Sequence, residues 1–125
     1  MAKATGKEIK WLSDVAEINY AAAESYLSII YSVDRVSAIM VKFRRAAIVQ
    51  FKAKDIFRAS QLSLLGVSNL HVEKDRKKIS EGKGLWPLLL VRDKKIGKVV
   101  IADGYHRLCA IYSFNEEALI QCMIV

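Results

Sequence analysis

The chain has 125 residues, 53% of them hydrophobic, with 20 lysines and arginines against 13 acidic residues for a net charge of +7. That length supports one sizeable core, and one proline with six glycines excludes a disordered or low-complexity chain. No apolar run is long enough to span a bilayer and no cleavable leader is recognisable, so the expectation is a cytoplasmic protein with no membrane contact, whose positive field favours anionic partners.

Residues 1–10 contain three lysines and little periodicity and read as a frayed end. From Ser13, a candidate N-cap, Val15, Ile18, Ala22, Tyr26, Ile29 and Val33 recur at helical intervals, and Asn19 could divide the segment. Asp34 is the candidate cap of a second striped helix through Val36, Ile39, Met40, Phe43 and Ala47. Two such helices read as an antiparallel pair serving packing or a homodimer contact; a helix-turn-helix DNA reader fits less well, because no glycine marks the turn. Residues 48–51 predict the first strand, and Asp55 caps a short helix over 56–61. Gly66 ends the apolar patch 62–65, and residues 68–80 form a highly charged helix with Val72 and Ile79 inward. Residues 86–92 and 99–102 predict a hairpin turning at 94–97, and residues 119–125 a closing strand.

The most informative stretch is 98–114. Val99, Val100 and Ile101 form a β-branched run, Asp103 and Gly104 punctuate it, and Leu108, Ile111 and Tyr112 follow at helical spacing. Strand, tight turn and helix leave the first backbone N–H groups of the helix without partners at the positive end of its dipole. Tyr105, His106 and Arg107 add donors and a fixed charge there, which suits phosphate. The ordinary alternative is that Arg107 pairs with a carboxylate. Asp103 works against an anion: as N-cap it would consume the same donors. It could instead face away into a buried hydrogen bond or meet the phosphate through magnesium. His71 and His106, with no acidic or cysteine cluster at ligand spacing, indicate no transition-metal site, and Cys109 and Cys122 read as buried thiols.

Gly104-Tyr105-His106-Arg107, preceded by a strand and followed by a helix, resembles the Gly-x-x-Arg box of the ParB/sulfiredoxin-like superfamily, Gly-Glu-Arg-Arg in ParB proteins and Gly-Cys-His-Arg in sulfiredoxins. Ile56-Phe57-Arg58 resembles the first conserved box of that superfamily, residues 87–91 its central strand and 120–125 its closing strand. The resemblance covers 49–125 and is closest to small bacterial ParB-like proteins, leaving residues 1–48 as an N-terminal helical extension. It implies an α+β domain with a small mixed sheet. It also implies binding of a nucleotide or other phosphorylated ligand at Gly104, Tyr105, His106 and Arg107, with Arg58, Lys74 and Lys77 contributing basic groups. A nucleotide could bring magnesium with it, Asp103 being the candidate ligand read from the residues rather than implied by the resemblance. Tyr105 stands where sulfiredoxins carry a nucleophilic thiolate, so no reductase of that type is expected. If there is a reaction, it is hydrolysis of a nucleotide or phosphodiester. The second reading is a DNA-associated ParB-like accessory module binding DNA without sequence preference.

Overall fold

The computed structural model describes residues 8–64 and 69–125. Among them are five helices, α1 (Glu17–Ile30), α2 (Val33–Arg45), α3 (Ala53–Ser60), α4 (Leu70–Ser80) and α5 (Tyr105–Phe114). Four strands, β1 (Val49–Lys52), β2 (Leu88–Asp93), β3 (Lys98–Asp103) and β4 (Leu119–Ile124), form one mixed sheet in the order β1-β4-β2-β3. The fold class is α+β. β2 and β3 pair antiparallel through the hairpin at 94–97, β4 runs parallel to β2, and β1 pairs antiparallel with β4. No helix among the described residues is long and apolar enough to cross a membrane.

Alternation along the inner strands explains the layers. Leu88 and Leu90 face one side with Ile101, Ile120 and Cys122, where α3, α4 and α5 supply Phe57, Val72, Ile79, Leu108, Ile111 and Phe114. Leu89, Val91, Val100, Ala102 and Met123 face the other side, covered by Tyr20, Ala23 and Leu27 of α1 and Val36, Ile39 and Phe43 of α2. The continuous apolar run in β2 is therefore what a strand buried on both faces requires. Burying a leucine or phenylalanine side chain of this kind contributes about 1.5–3 kcal/mol. The helical pair that precedes residue 49 thus shares a core with the sheet.

Local details differ from the sequence reading where several polar residues compete to start a helix. α1 begins after Ala16, whose backbone N–H donates to Asn19 Oδ1 at 3.0 Å, instead of after Ser13. Ser32 rather than Asp34 caps α2, accepting from the Arg35 N–H at 3.3 Å, and α3 starts ahead of Asp55. The buried stripe of α1 is Tyr20, Ala23 and Leu27, while Ile18, Ile29 and Val33 of the expected stripe are 67%, 85% and 81% exposed. Apolar residues encircle α1, and the small Ala23 lets that side approach the sheet most closely. Residues 9–12 are not frayed: Leu12 N–H donates to the Leu85 carbonyl at 2.8 Å and Leu85 N–H to the Lys10 carbonyl at 2.9 Å. Gly66 and the start of the 68–80 segment fall outside the described residues.

Candidate functional site

β3 delivers the chain to Asp103, and Gly104 then turns it into α5. Gly104 has φ +111° and ψ 12°, in the left-handed region that favours glycine. Space imposes the same choice, because a Cβ there would lie 2.5 Å from Leu88 Cγ and 2.9 Å from a terminal nitrogen of Arg107. Gly104 is itself the N-cap. Its carbonyl accepts the Leu108 N–H at 2.9 Å, and with no side chain it caps none of the N–H groups of the first turn. The remainder of α5 is fixed by burial of Leu108, Cys109, Ala110 and Ile111.

α4 packs alongside α5. Asn69 starts it, accepting the N–H groups of His71 at 3.0 Å and Val72 at 3.2 Å. Val72 and Ile79 turn into the core, which leaves the charged side of α4 facing the first turn of α5 across a cleft of about 590 Å³. Gly104, Tyr105, His106, Arg107, Lys74, Lys77 and Asp103 all line this cleft, as does His71. Lys78 and Lys83 join them, so five fixed cations face the carboxylates of Asp75, Glu81 and Asp103. Arg58 is the exception among the expected residues. α3 turns Ala53, Ile56, Phe57 and Ser60 inward, and Arg58 projects from the solvent side without reaching the cleft.

Asp103 does not cap the helix. Its Oδ2 accepts from Asn19 Nδ2 at 3.1 Å and from Arg107 Nη2 at 3.0 Å, in a pair whose side chains are 15% and 13% exposed. Of the roles its position leaves open, the structure takes the hydrogen-bonded one, and the donors of α5 stay unclaimed by it. The same oxygen arrangement fits magnesium badly, since a divalent ion at this carboxylate would sit beside a guanidinium. No group of three or more histidine, cysteine, aspartate or glutamate side chains able to hold a metal occurs among the described residues. Arg107 also donates to the Pro87 carbonyl at 3.3 Å, and its buried Nε–H has no acceptor among the described residues. Its charge is thus largely answered by Asp103 and that of Lys83 by Glu81 at 3.1 Å, so the positive charge facing the first turn of α5 comes from Lys74, Lys77 and Lys78.

Three features were not read from the sequence. His71 and His106, on different helices, bring their ring centroids to 4.9 Å with a tilt of 42°. Burial holds the His106 imidazole below its ordinary pKa, and His71 and Arg107 add to this against the opposing carboxylate of Asp75. Burial conversely raises the Asp75 carboxyl, partly offset by Lys78, Arg107 and both histidines. Third, the Tyr105 hydroxyl donates to the Ser63 carbonyl and fastens the loop after α3 to the first turn of α5. Burial and the neighbouring Cys109 raise that phenol, so it stays protonated. Cys109 and Cys122 are buried and form no disulfide, and burial pushes the Cys122 thiol up to about 11. A helix far in the sequence brings in the second histidine, so only an expectation of α4–α5 packing would have signalled the pair.

Comparison with protein-family models, with curated proteins and with solved structures gives no match to this chain.

Proposed function

We propose that the protein binds a nucleotide or another phosphorylated small molecule in the cleft between α4 and α5, as the resemblance to ParB/sulfiredoxin-like domains implies. The observation that carries this reading is the uncapped first turn of α5 opening into a cleft whose opposite wall carries Lys74, Lys77 and Lys78. Backbone N–H groups and the helix dipole suit phosphate oxygens, and ammonium groups on flexible stems close over them as point charges. Asp103 and Arg107 form the rigid floor. They fix the turn through Asn19 and the Pro87 carbonyl.

Tyr105 carries no thiol and Cys109 is fully buried, so the proposal includes no thiol chemistry of the sulfiredoxin kind. The test is calorimetric titration of ATP, ADP and AMP, with and without magnesium, into the wild type and Lys74→Ala/Lys77→Ala. Binding that weakens at least tenfold in the double variant and is independent of magnesium supports the reading. Equal affinities in both proteins would move the ligand elsewhere. Binding of duplex DNA but of no nucleotide would favour the accessory-module reading.

A further inference from the structure

We propose that the His71–His106 pair makes this cleft selective for a phosphomonoester dianion over a phosphodiester, the pair taking up one proton from solvent as the dianion enters. This rests on the phosphate reading of the cleft and adds the class of phosphate it accepts. The two imidazoles stand 4.9 Å apart on opposite walls, His71 on the first turn of α4 and His106 on that of α5. Each therefore senses the charge of the other.

The groups facing the pair set its empty state. Asp75 on α4 faces His106 from the opposite wall, and on its own helix the ring lies 5.6 Å from that of Tyr105 and next to Arg107. Asp103 at the end of β3 is spent on Arg107, and the lysines of the cleft add positive potential, with Glu81 at its far end. Burial, the neighbouring imidazole and Arg107 together disfavour a proton on His106, and Asp75 alone among these opposes them. In the empty cleft these influences favour the neutral form of His106.

A bound dianion reverses this balance. Two negative charges against the rings favour an imidazolium, so a neutral imidazole, a proton from solvent and the monoester dianion become an imidazolium–dianion pair. No covalent bond forms or breaks. A phosphodiester brings one negative charge and provides half the electrostatic drive. By linkage, monoester affinity rises as pH falls toward the free histidine range, for as long as the ester keeps its second negative charge.

The experiment compares AMP with cyclic AMP, which share a base and sugar and differ in whether the phosphate is a monoester. Titration calorimetry near pH 7, in buffers of different ionisation enthalpy, reads proton uptake directly. The expected result is net proton uptake with AMP, none with cyclic AMP, and at least tenfold weaker binding of cyclic AMP. His106→Gln should abolish the uptake and most of the selectivity; His71→Gln, an exposed position, should alter the pH range of the uptake without abolishing it, with the folded spectrum unchanged. Binding of AMP without proton uptake, or equal affinity for the two nucleotides, would overturn the inference and leave the phosphate cleft standing. Failure of AMP, ATP and inorganic phosphate to bind at all would overturn both.

Discussion

Arg107 Nη2 donates to Asp103 Oδ2 at 3.0 Å across one helical turn, and the same nitrogen reaches the Pro87 carbonyl at 3.3 Å. The arginine of the Gly-x-x-Arg turn therefore joins the end of β3 to the approach of β2. Because both side chains are mostly buried, removing one strands the other. Arg107→Ala should lower unfolding stability by about 1.5–3 kcal/mol, the range for a charge-assisted hydrogen bond. Denaturant unfolding of Arg107→Ala, Asp103→Asn and the double variant reads the coupling, and a double variant no less stable than Arg107→Ala alone is expected.

Gly104 is subject to two independent constraints, a left-handed backbone and a neighbour, Leu88, that a Cβ would strike. Gly104→Ala should cost about 2 kcal/mol or more, combining a strained conformation with overpacking. Thermal unfolding checks this. Restoring space with Leu88→Ala in the same chain should recover only the steric part, less the cost of the cavity made at Leu88.

Asp75 places a carboxylate inside a basic cleft, and burial raises its pKa. Asp75→Asn should tighten binding of a phosphorylated ligand about fivefold, on the order of 1 kcal/mol for a charge near a protein surface. Titration at two salt concentrations tests the origin: the gain should shrink at high salt.

Asp93, in β2, is held by the Tyr31 hydroxyl at 2.7 Å, with the Lys95 N–H at 3.2 Å and Arg35 at 3.9 Å. The Tyr31 hydrogen bond is the chief cause of its lowered pKa. An acid lowered in the folded state stabilises above its unfolded pKa, near 3.9, and that contribution is lost as pH falls through the folded value. Tyr31 is raised to about 12, chiefly by burial, so the unfolded chain loses its proton first and stability declines between about pH 10 and 12. Tyr31→Phe should flatten both limbs of a stability profile measured by denaturant unfolding from acid to alkaline pH.

Residues 49–125 alone would expose Leu89, Val91, Val100, Ala102 and Met123, which α1 and α2 cover. Expressed without residues 1–48, this segment should not give a folded monomer. Sedimentation and amide dispersion in a two-dimensional NMR spectrum decide. Within the whole chain, Phe43→Ala should cost about 3–5 kcal/mol, since Phe43 is fully buried on the sheet.

Much of this architecture was legible locally. The β-branched run before Asp103-Gly104 and the spacing of Leu108 and Ile111 located β3, the turn and α5, because strand and helix periods differ and glycine marks the change. The buried face of α1 is not legible in the sequence because its apolar residues encircle it, and only packing on the sheet distinguishes Leu27 from Ile29. The partner of Asp103 was illegible for a different reason: Asn19 lies 84 positions away, and no periodicity connects them. Arg58 was carried by resemblance to a short box, while the helix that bears it is oriented by Ile56 and Phe57.

The position of β4 has a consequence for how the molecule is made. It lies between β1 and β2, so these two strands, both synthesised earlier, have no contact with each other in the sheet until residues 119–124 have left the ribosome and inserted between them. Before that, β2 and β3, adjacent in sequence, can pair as a hairpin, whereas β1 has no strand partner. Joining them requires closure of the long loop from 52 to 119, an entropic cost met late and all at once. The waiting strands present unpaired backbone N–H and C=O groups, which makes the edges of β1 and β2 the surfaces a chaperone would shield during synthesis.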